Sequence, residues 1–220
     1  MEIKVLRNIL EANDALAADN RRLLVRHGVA ALNLMSSPGA GKTTLLERTL
    51  DALKAELAMA VIEGDIATRY DADRIGRHGV PVLQINTGGA CHLDANMVRR
   101  ALDELPVAGL DLLFIENVGN LVCPAEFALG EDAKVTVLSV TEGDDKPEKY
   151  PAMFQASSAL VINKIDLLPY TDFDLAAAMR RSLELNPRLT IFPLSCTTME
   201  GFAAWLDWVR ACAKRPAMTG

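Results

Sequence analysis

Half of the 220 residues are hydrophobic, 24% are charged and the net charge is −6, the balance of a globular chain long enough for one domain with a sizeable core. That charge gives no basic footprint for nucleic acid and no polybasic attachment to an anionic membrane, and no apolar run approaches the ~18–20 residues that span a bilayer. The opening stretch MEIKVLRNILEANDALAADN is polar at every turn, unlike a secretory signal, and four cysteines make no disulfide framework at this length, so a cytoplasmic protein with reduced thiols is expected.

Apolar residues at Ile3, Leu6, Ile9, Leu10, Leu16, Leu23 and Leu24, closed by Gly28, have helical spacing over 3–27. VAALNLM (29–35) is a buried strand that runs into a glycine-containing turn, and a helix follows from Thr43 to about Leu57. AMAVIEG (58–64) is the next strand, DADRIGRHG (71–79) a short helix and VPVLQIN (80–86) a third strand. A helix from His92 to Leu105 precedes the strand DLLFIEN (111–117). Two more apolar strands, KVTVLSV (134–140) and ALVINK (159–164), precede a helix over 174–185, a last strand TIFPLS (190–195) and a closing helix over 201–213. Strands that are apolar on both faces and alternate with helices predict an α/β fold: a mostly parallel sheet with helices on both faces. The expected organisation is one such domain over 29–215 with an N-terminal helical extension over 1–28.

LNLMSSPGAGKTTLLE places a glycine-rich turn between a strand and a helix. In such a phosphate loop the backbone N–H groups, here of Ser37, Pro38-Gly39-Ala40-Gly41, Lys42, Thr43 and Thr44 (proline supplying only its fixed φ), surround phosphate at the positive end of the helix. Lys42 reaches the β- and γ-phosphates and the Thr43 hydroxyl binds Mg²⁺. Ser36 replaces the first glycine of the usual pattern, which restricts the backbone there but leaves the phosphate-contacting groups in place.

Asn163, Lys164 and Asp166 end an apolar strand at the sheet edge where α/β ligands bind. They match the N-K-x-D pattern that reads guanine. A carboxylate accepts both the N1–H and the 2-amino group of guanine, whereas adenine would leave it unpaired. PLSCTT (193–198) occupies the place of a second base-contacting loop, with Ser195 and Cys196. GTP is the expected nucleotide.

Glu116 ends the strand DLLFIEN facing the phosphate loop, where a hard oxygen ligand holds Mg²⁺ directly or through water. Asp65 is the first candidate for Mg²⁺ or water positioning, and Asp71 the second unless it only caps the helix that follows. Hydrolysis on such a site is positioning and charge neutralisation of an in-line attack by water, with no covalent nucleophile. Gly119 lets the loop after Glu116 approach the γ-phosphate. Arg69 and Arg74 are the nearest arginines with nothing to mark either as a catalytic finger, so slow turnover is expected.

SSPGAGKTT, EGDIATRYDADRI, TGGACHLDA, FIENVGNLVCPAEF, SVTEGDDKPEKYP and NKIDLLP together resemble the hydrogenase nickel-insertion GTPases, the HypB family, within the SIMIBI class of dimerising P-loop NTPases, over about residues 29–210. The resemblance implies GTP hydrolysis coupled to nickel delivery during [NiFe]-hydrogenase maturation. It also gives Cys91 and His92 a third metal ligand, Cys123. The residues agree with that implication: Cys91 sits at a predicted helix start, where the field favours thiolate, and Cys123 shares the loop that follows Glu116. Thiolate and imidazole suit Ni²⁺ or Zn²⁺, and three ligands describe an open site or one completed across a dimer. Cys196, Cys212, His27 and His78 are expected to lie outside it.

The resemblance further implies a homodimer when GTP or metal is bound, a nickel-binding accessory protein of the HypA type, for which 3–27 offers a docking surface, and a hydrogenase large-subunit precursor, reached directly or indirectly. Lys146, in the polar loop 141–151, is the expected contact to a partner subunit's nucleotide. No cysteine or histidine-rich motif precedes Cys91, which departs from family members that carry one for tight nickel binding. A urease-type nickel-insertion GTPase would be expected to carry Cys-Pro-His instead. A zinc-stabilised GTP-binding module without metal delivery would have no need of the intact Lys42, Thr43, Asp65 and Glu116. A cobalamin-enzyme chaperone gives no reason for the three metal ligands, and a small-molecule kinase should lack the guanine pattern.

Overall fold

The computed structural model of the chain describes residues 4–65 and 70–214; Ile3 and Arg69 lie outside them. In chain order the elements are α1 (Lys4–His27), β1 (Ala30–Ser36), α2 (Lys42–Leu53), β2 (Met59–Asp65), α3 (Tyr70–Gly76), β3 (Val82–Asn86), α4 (Ala95–Glu104), β4 (Leu112–Glu116), α5 (Cys123–Glu126), β5 (Ala133–Ser139), α6 (Lys146–Lys149), α7 (Pro151–Ala156), β6 (Ala159–Asn163), a 3₁₀ turn (Ile165–Tyr170), α8 (Leu175–Leu185), β7 (Thr190–Pro193) and α9 (Phe202–Ala213). The strands form one sheet in the order β3-β2-β4-β1-β5-β6-β7, and every pairing is parallel. The expected α/β architecture is therefore the observed one.

β1, β4 and β6 are buried along their whole length, which is why their sequences are near-continuous apolar runs. One face of the sheet packs Leu45, Leu50, Phe114 and Trp205 beneath α2 and α9. The other packs Leu24, Ile62, Val98 and Leu102 beneath α1 and α4, continued by Met153, Phe154 and Leu160 under α7 and α8. The indole of Trp205 is fully buried and donates to the Thr49 hydroxyl at 2.9 Å; truncating it to alanine costs about 3–5 kcal/mol. The sheet order turns at β1, so the C-terminal ends of β1, β2 and β4 open one crevice where ligands of such sheets bind. Among the described residues no helix is long and apolar enough to cross a membrane.

Three local expectations are corrected. The helix expected from His92 begins only at Ala95, because the Asp94 carboxylate caps it by accepting the Met97 N–H at 2.7 Å. The polar loop 141–151 contains α6, and α7 starts at Pro151; both helices carry proline in the first turn, where its missing N–H costs nothing. Asp71 is no cap: it lies inside the first turn of α3, with its carboxylate accepting from Arg74 Nη1 at 3.1 Å.

Candidate nucleotide pocket and metal centre

A cavity of about 540 Å³ opens at the ends of β1, β2 and β4, lined by Pro38, Gly39, Gly41 to Thr44, Glu63 to Asp65, Asp71, Arg74, Glu116 to Gly119 and Lys164. The phosphate loop turns into α2 at Gly41, whose φ of 98° and whose position against Asn163 both demand glycine: a Cβ there would lie 2.5 Å from Asn163 Nδ2. Lys42 Nζ donates to the Ser36 hydroxyl at 2.9 Å. The serine that breaks the usual glycine pattern thus holds the lysine at the floor of the cavity. Thr43 Oγ1 donates to Glu116 Oε1 at 2.8 Å, while Glu116 Oε2 is buried without a partner. Asp65 stands at the end of β2 on the cavity wall. Arg74 also lines it, but its guanidinium is engaged by Glu47 at 2.6 Å, Asp71 at 3.1 Å and Thr44 at 3.3 Å.

Register brings a further acid into this pocket. Glu63 of β2 pairs directly across from Glu116 of β4, is 2% exposed, and also leaves its Oε2 buried without a partner. Burial, then the charges of Glu116, Asp65 and Asp71, push its carboxyl up to about 8. Burial likewise raises Glu116, against the opposing pull of Lys42 and Thr43. Two facing carboxylates with orphaned oxygens, beside a threonine hydroxyl, are the donor set a hard divalent cation takes, so the residues fit Mg²⁺.

The Asn163-Lys164 segment is bonded to the phosphate loop. Asn163 Nδ2 donates to Ala40 O at 3.0 Å and Lys164 Nζ to Gly39 O at 2.7 Å. Asn163 Oδ1 accepts the N–H groups of Lys164 and Cys196 at 2.8 and 3.3 Å. Cys196 therefore contributes its backbone; its thiol is buried, which pushes it up to about 12. Ser195 Oγ closes the following turn by accepting from Thr197 and Thr198 N–H at 3.1 and 3.0 Å. Asp166 Oδ1 is buried without a partner, a carboxylate with capacity to accept hydrogen bonds from a base.

Cys91, His92 and Cys123 meet: their ligand atoms lie within 4.8 Å of one another, the only such cluster among the described residues. The two sulfurs are 2.9 Å apart and Cys91 Sγ is 3.6 Å from His92 Nδ1. His92 stacks on Phe127, centroids 3.9 Å apart, and burial lowers its pKa, leaving it neutral and free to ligate. The hydrogen bond with Cys91, then burial, raise the Cys123 thiol. Two sulfurs and an imidazole fit a borderline-soft divalent ion. The helix field expected at Cys91 is not there, because the Asp94 carboxylate occupies the cap position of α4; it is Cys123 that begins a helix, the one-turn α5. Cys212 on α9 and His78, 2.8 Å from Asp51, lie elsewhere.

The two sites are joined by direct contacts. Leu93, next to His92, packs over Gly64 so tightly that a Cβ on the glycine would sit 2.8 Å from its side chain. The Leu93 N–H donates to Asn117 Oδ1 at 3.1 Å, which also accepts Val118 N–H at 3.0 Å. Asn117 follows Glu116, and Gly119 lies against Pro38 of the phosphate loop, with room for a Cβ only 3.1 Å from it. One segment thus runs from Glu116, past the phosphate loop, to Cys123. Sequence reasoning passed over Glu63 and Asn117. The strand register that pairs Glu63 with Glu116 could be inferred only from a known strand order, and nothing marks a lone asparagine after an acid.

The CobW/HypB/UreG nucleotide-binding domain family matches residues 30–193. The hydrogenase maturation factor HypB of Rhizobium leguminosarum bv. viciae is 53% identical over 216 residues, covering 98% of this chain and 72% of that protein. Among solved structures, HypB from Archaeoglobus fulgidus superposes with a TM-score of 0.88 at 39% identity, over 93% of this chain and all of that one. HypB from Helicobacter pylori in complex with nickel gives 0.87 at 37% identity, over 95% and 100%.

Proposed function

The chain belongs to the CobW/HypB/UreG family of nucleotide-binding proteins, with HypB hydrogenase maturation factors as its relatives, and from that premise we propose that it hydrolyses GTP and uses the cycle to deliver nickel during [NiFe]-hydrogenase maturation. The observation that carries the coupling is the single segment 116–123, which holds Glu116 in the phosphate pocket and Cys123 in the metal cluster. Asp166, with its orphaned oxygen, is the residue that selects guanine.

In this reading the phosphate-loop backbone and Lys42 fix the β- and γ-phosphates, and Asp65 orients the attacking water, with Asp71 second. Thr43 and Glu116 would hold Mg²⁺, which would supply charge neutralisation on the phosphates. Arg74 stays engaged by Glu47 and Asp71, so turnover without a further cation is slow. Nickel is cargo, bound by Cys91, His92 and Cys123; zinc fits the same donors. A homodimer formed with GTP or metal, with Lys146 reaching the partner's nucleotide, an accessory protein of the HypA type, a hydrogenase large-subunit precursor as recipient and a cytoplasmic setting complete the proposal.

The test is a Ni²⁺ and Zn²⁺ titration of wild type and Cys123→Ala, each with GDP and with a non-hydrolysable GTP analogue, with mass measured in parallel. Metal affinity that shifts with nucleotide, accompanies dimer formation and is lost in the variant is the expected result. Affinity indifferent to nucleotide would leave a GTP-binding protein that carries a structural metal.

A further inference from the structure

The N-terminal helix carries two buried asparagines, Asn13 at 7% and Asn20 at 0% exposure. They stand seven positions apart and so share a face, next to Ala17 and Leu24, which pack there as ordinary apolar residues. Asparagine is a weak helix former and a costly group to bury; a helix that only had to dock would use more of the apolar kind.

Both side chains do the same unusual thing, which is to bridge the same two segments. Asn13 Oδ1 accepts the Ala95 N–H at 2.9 Å while its Nδ2 donates to Ala128 O at 2.9 Å. Asn20 Nδ2 donates to Ala95 O at 2.8 Å and to Leu129 O at 3.0 Å. Ala95 opens α4, so its N–H lacks a partner within the helix, and α1 supplies one from outside. Gly130 permits the close approach: its φ is 103°, and a Cβ there would fall 2.6 Å from Asn20 Cβ.

Ala95 lies just beyond Cys91-His92, and Ala128 follows Phe127, the ring on which His92 stacks. Ala128 and Leu129 also close the segment that α5 and Cys123 begin. The two halves of the metal cluster are thus tied behind the ligands to one pair of amides. We propose that Asn13 and Asn20 are positioning residues of the metal centre: by holding Ala95 against Ala128 and Leu129 they set the separation of Cys91 and His92 from Cys123. The inference rests on the reading of those three residues as the metal site. It makes the N-terminal helix part of that site's support, and whatever displaces the helix loosens the ligands.

The experiment titrates Ni²⁺ and Zn²⁺ into wild type, Asn13→Ala, Asn13→Asp and Arg21→Ala, with the Co²⁺ thiolate spectrum, the affinity for fluorescent GDP and the melting temperature measured on each. Arg21→Ala is the control, since it removes from the same helix an ion pair to Asp132, just before β5, and touches neither Ala95 nor Ala128. Asn13→Ala should weaken both metals about ten- to a hundredfold, the effect typical of residues that orient ligands, and change the Co²⁺ spectrum while GDP affinity holds. Asn13→Asp keeps the acceptor for Ala95 and loses the donor to Ala128, so it should weaken metal in the same direction and less; it decides the matter if the alanine variant does not fold. Wild-type metal affinity in both asparagine variants overturns the inference, as does an equal metal loss in Arg21→Ala at equal melting temperature. Wild type that binds neither metal overturns the metal-site reading itself, and this inference with it.

Discussion

The phosphate pocket stands on the ends of β1, β2 and β4, whereas the Cys91-His92-Cys123 cluster stands on the segments that follow β3 and β4, with Cys123 at the start of the one-turn α5. Strand ends are fixed by the ladder on both sides: β4 is paired with β1 and β2, which holds Glu116 in register with Leu34 and Glu63. The metal segments have no ladder and are held by side chains, Asn117 from the front and the α1 asparagines from behind. Groups that position phosphate work best on a rigid frame, and the proposed release of metal would need elements with two accessible arrangements. The contrast is therefore between a part held by strand pairing and a part held by side chains, joined at Asn117.

The sharpest way to separate the two is to disable the rigid part alone. Lys42→Ala removes the cation at the cavity floor and leaves the cluster of Cys91, His92 and Cys123 untouched. Phosphate release should fall by about a hundredfold or more, while Zn²⁺ titration without nucleotide gives the wild-type curve. A large change in that curve would mean that the metal segments depend on the phosphate loop even in the resting protein, and the division would fail.

A smaller effect is expected at the joint. Asn117 is 1% exposed and accepts from both Leu93 and Val118; alanine there leaves two buried N–H groups unpaired, at a cost of about 1–3 kcal/mol each. Asn117→Ala should still bind GDP and still bind metal, but with metal affinities that no longer differ between GDP and a GTP analogue. If the nucleotide continues to shift metal affinity as in wild type, the coupling runs elsewhere, with Leu93 on Gly64 as the next contact to test.

The same contrast explains what was legible in the sequence. Phosphate and base recognition depend on backbone shape and local order, so Gly41-Lys42-Thr43 and Asn163-Lys164-x-Asp166 announce themselves within a few residues of chain. The sheet was legible for a related reason: strands buried on both faces leave apolar runs, such as ALNLM and LLFIE. Cys91 and Cys123 are far apart in sequence and were paired by family resemblance alone, because nothing local says that the segments after β3 and β4 converge. Glu63 reads as one acid in an apolar strand until β2 is known to lie beside β4. Asn13 and Asn20 read as polar positions on an amphipathic helix, and only the packed structure shows both amides turned inward. The short helices α5, α6 and α7 were missed because proline near their starts reads as loop.

The finest test falls within the rigid part, on the facing pair Glu63 and Glu116. With its carboxyl pushed up to about 8 from an ordinary 4.5, chiefly by burial, Glu63 keeps a proton in the folded chain that the unfolded chain releases. A raised carboxyl stabilises the fold fully below the unfolded value and loses that contribution as pH climbs toward the folded one. Without Mg²⁺ or nucleotide, wild type should therefore lose melting temperature between pH 5 and pH 8 relative to Glu63→Gln, by roughly 10 °C for a chain of this size. Mg²⁺ with GDP should shrink the gap, because a cation between the two carboxylates favours the charged form. Melting curves that run parallel across that range, with and without Mg²⁺, would mean that Glu63 ionises freely. The rigid half would then owe its acidity to Glu116 and Asp65 alone, and the register that places Glu63 across from Glu116 would carry no functional weight.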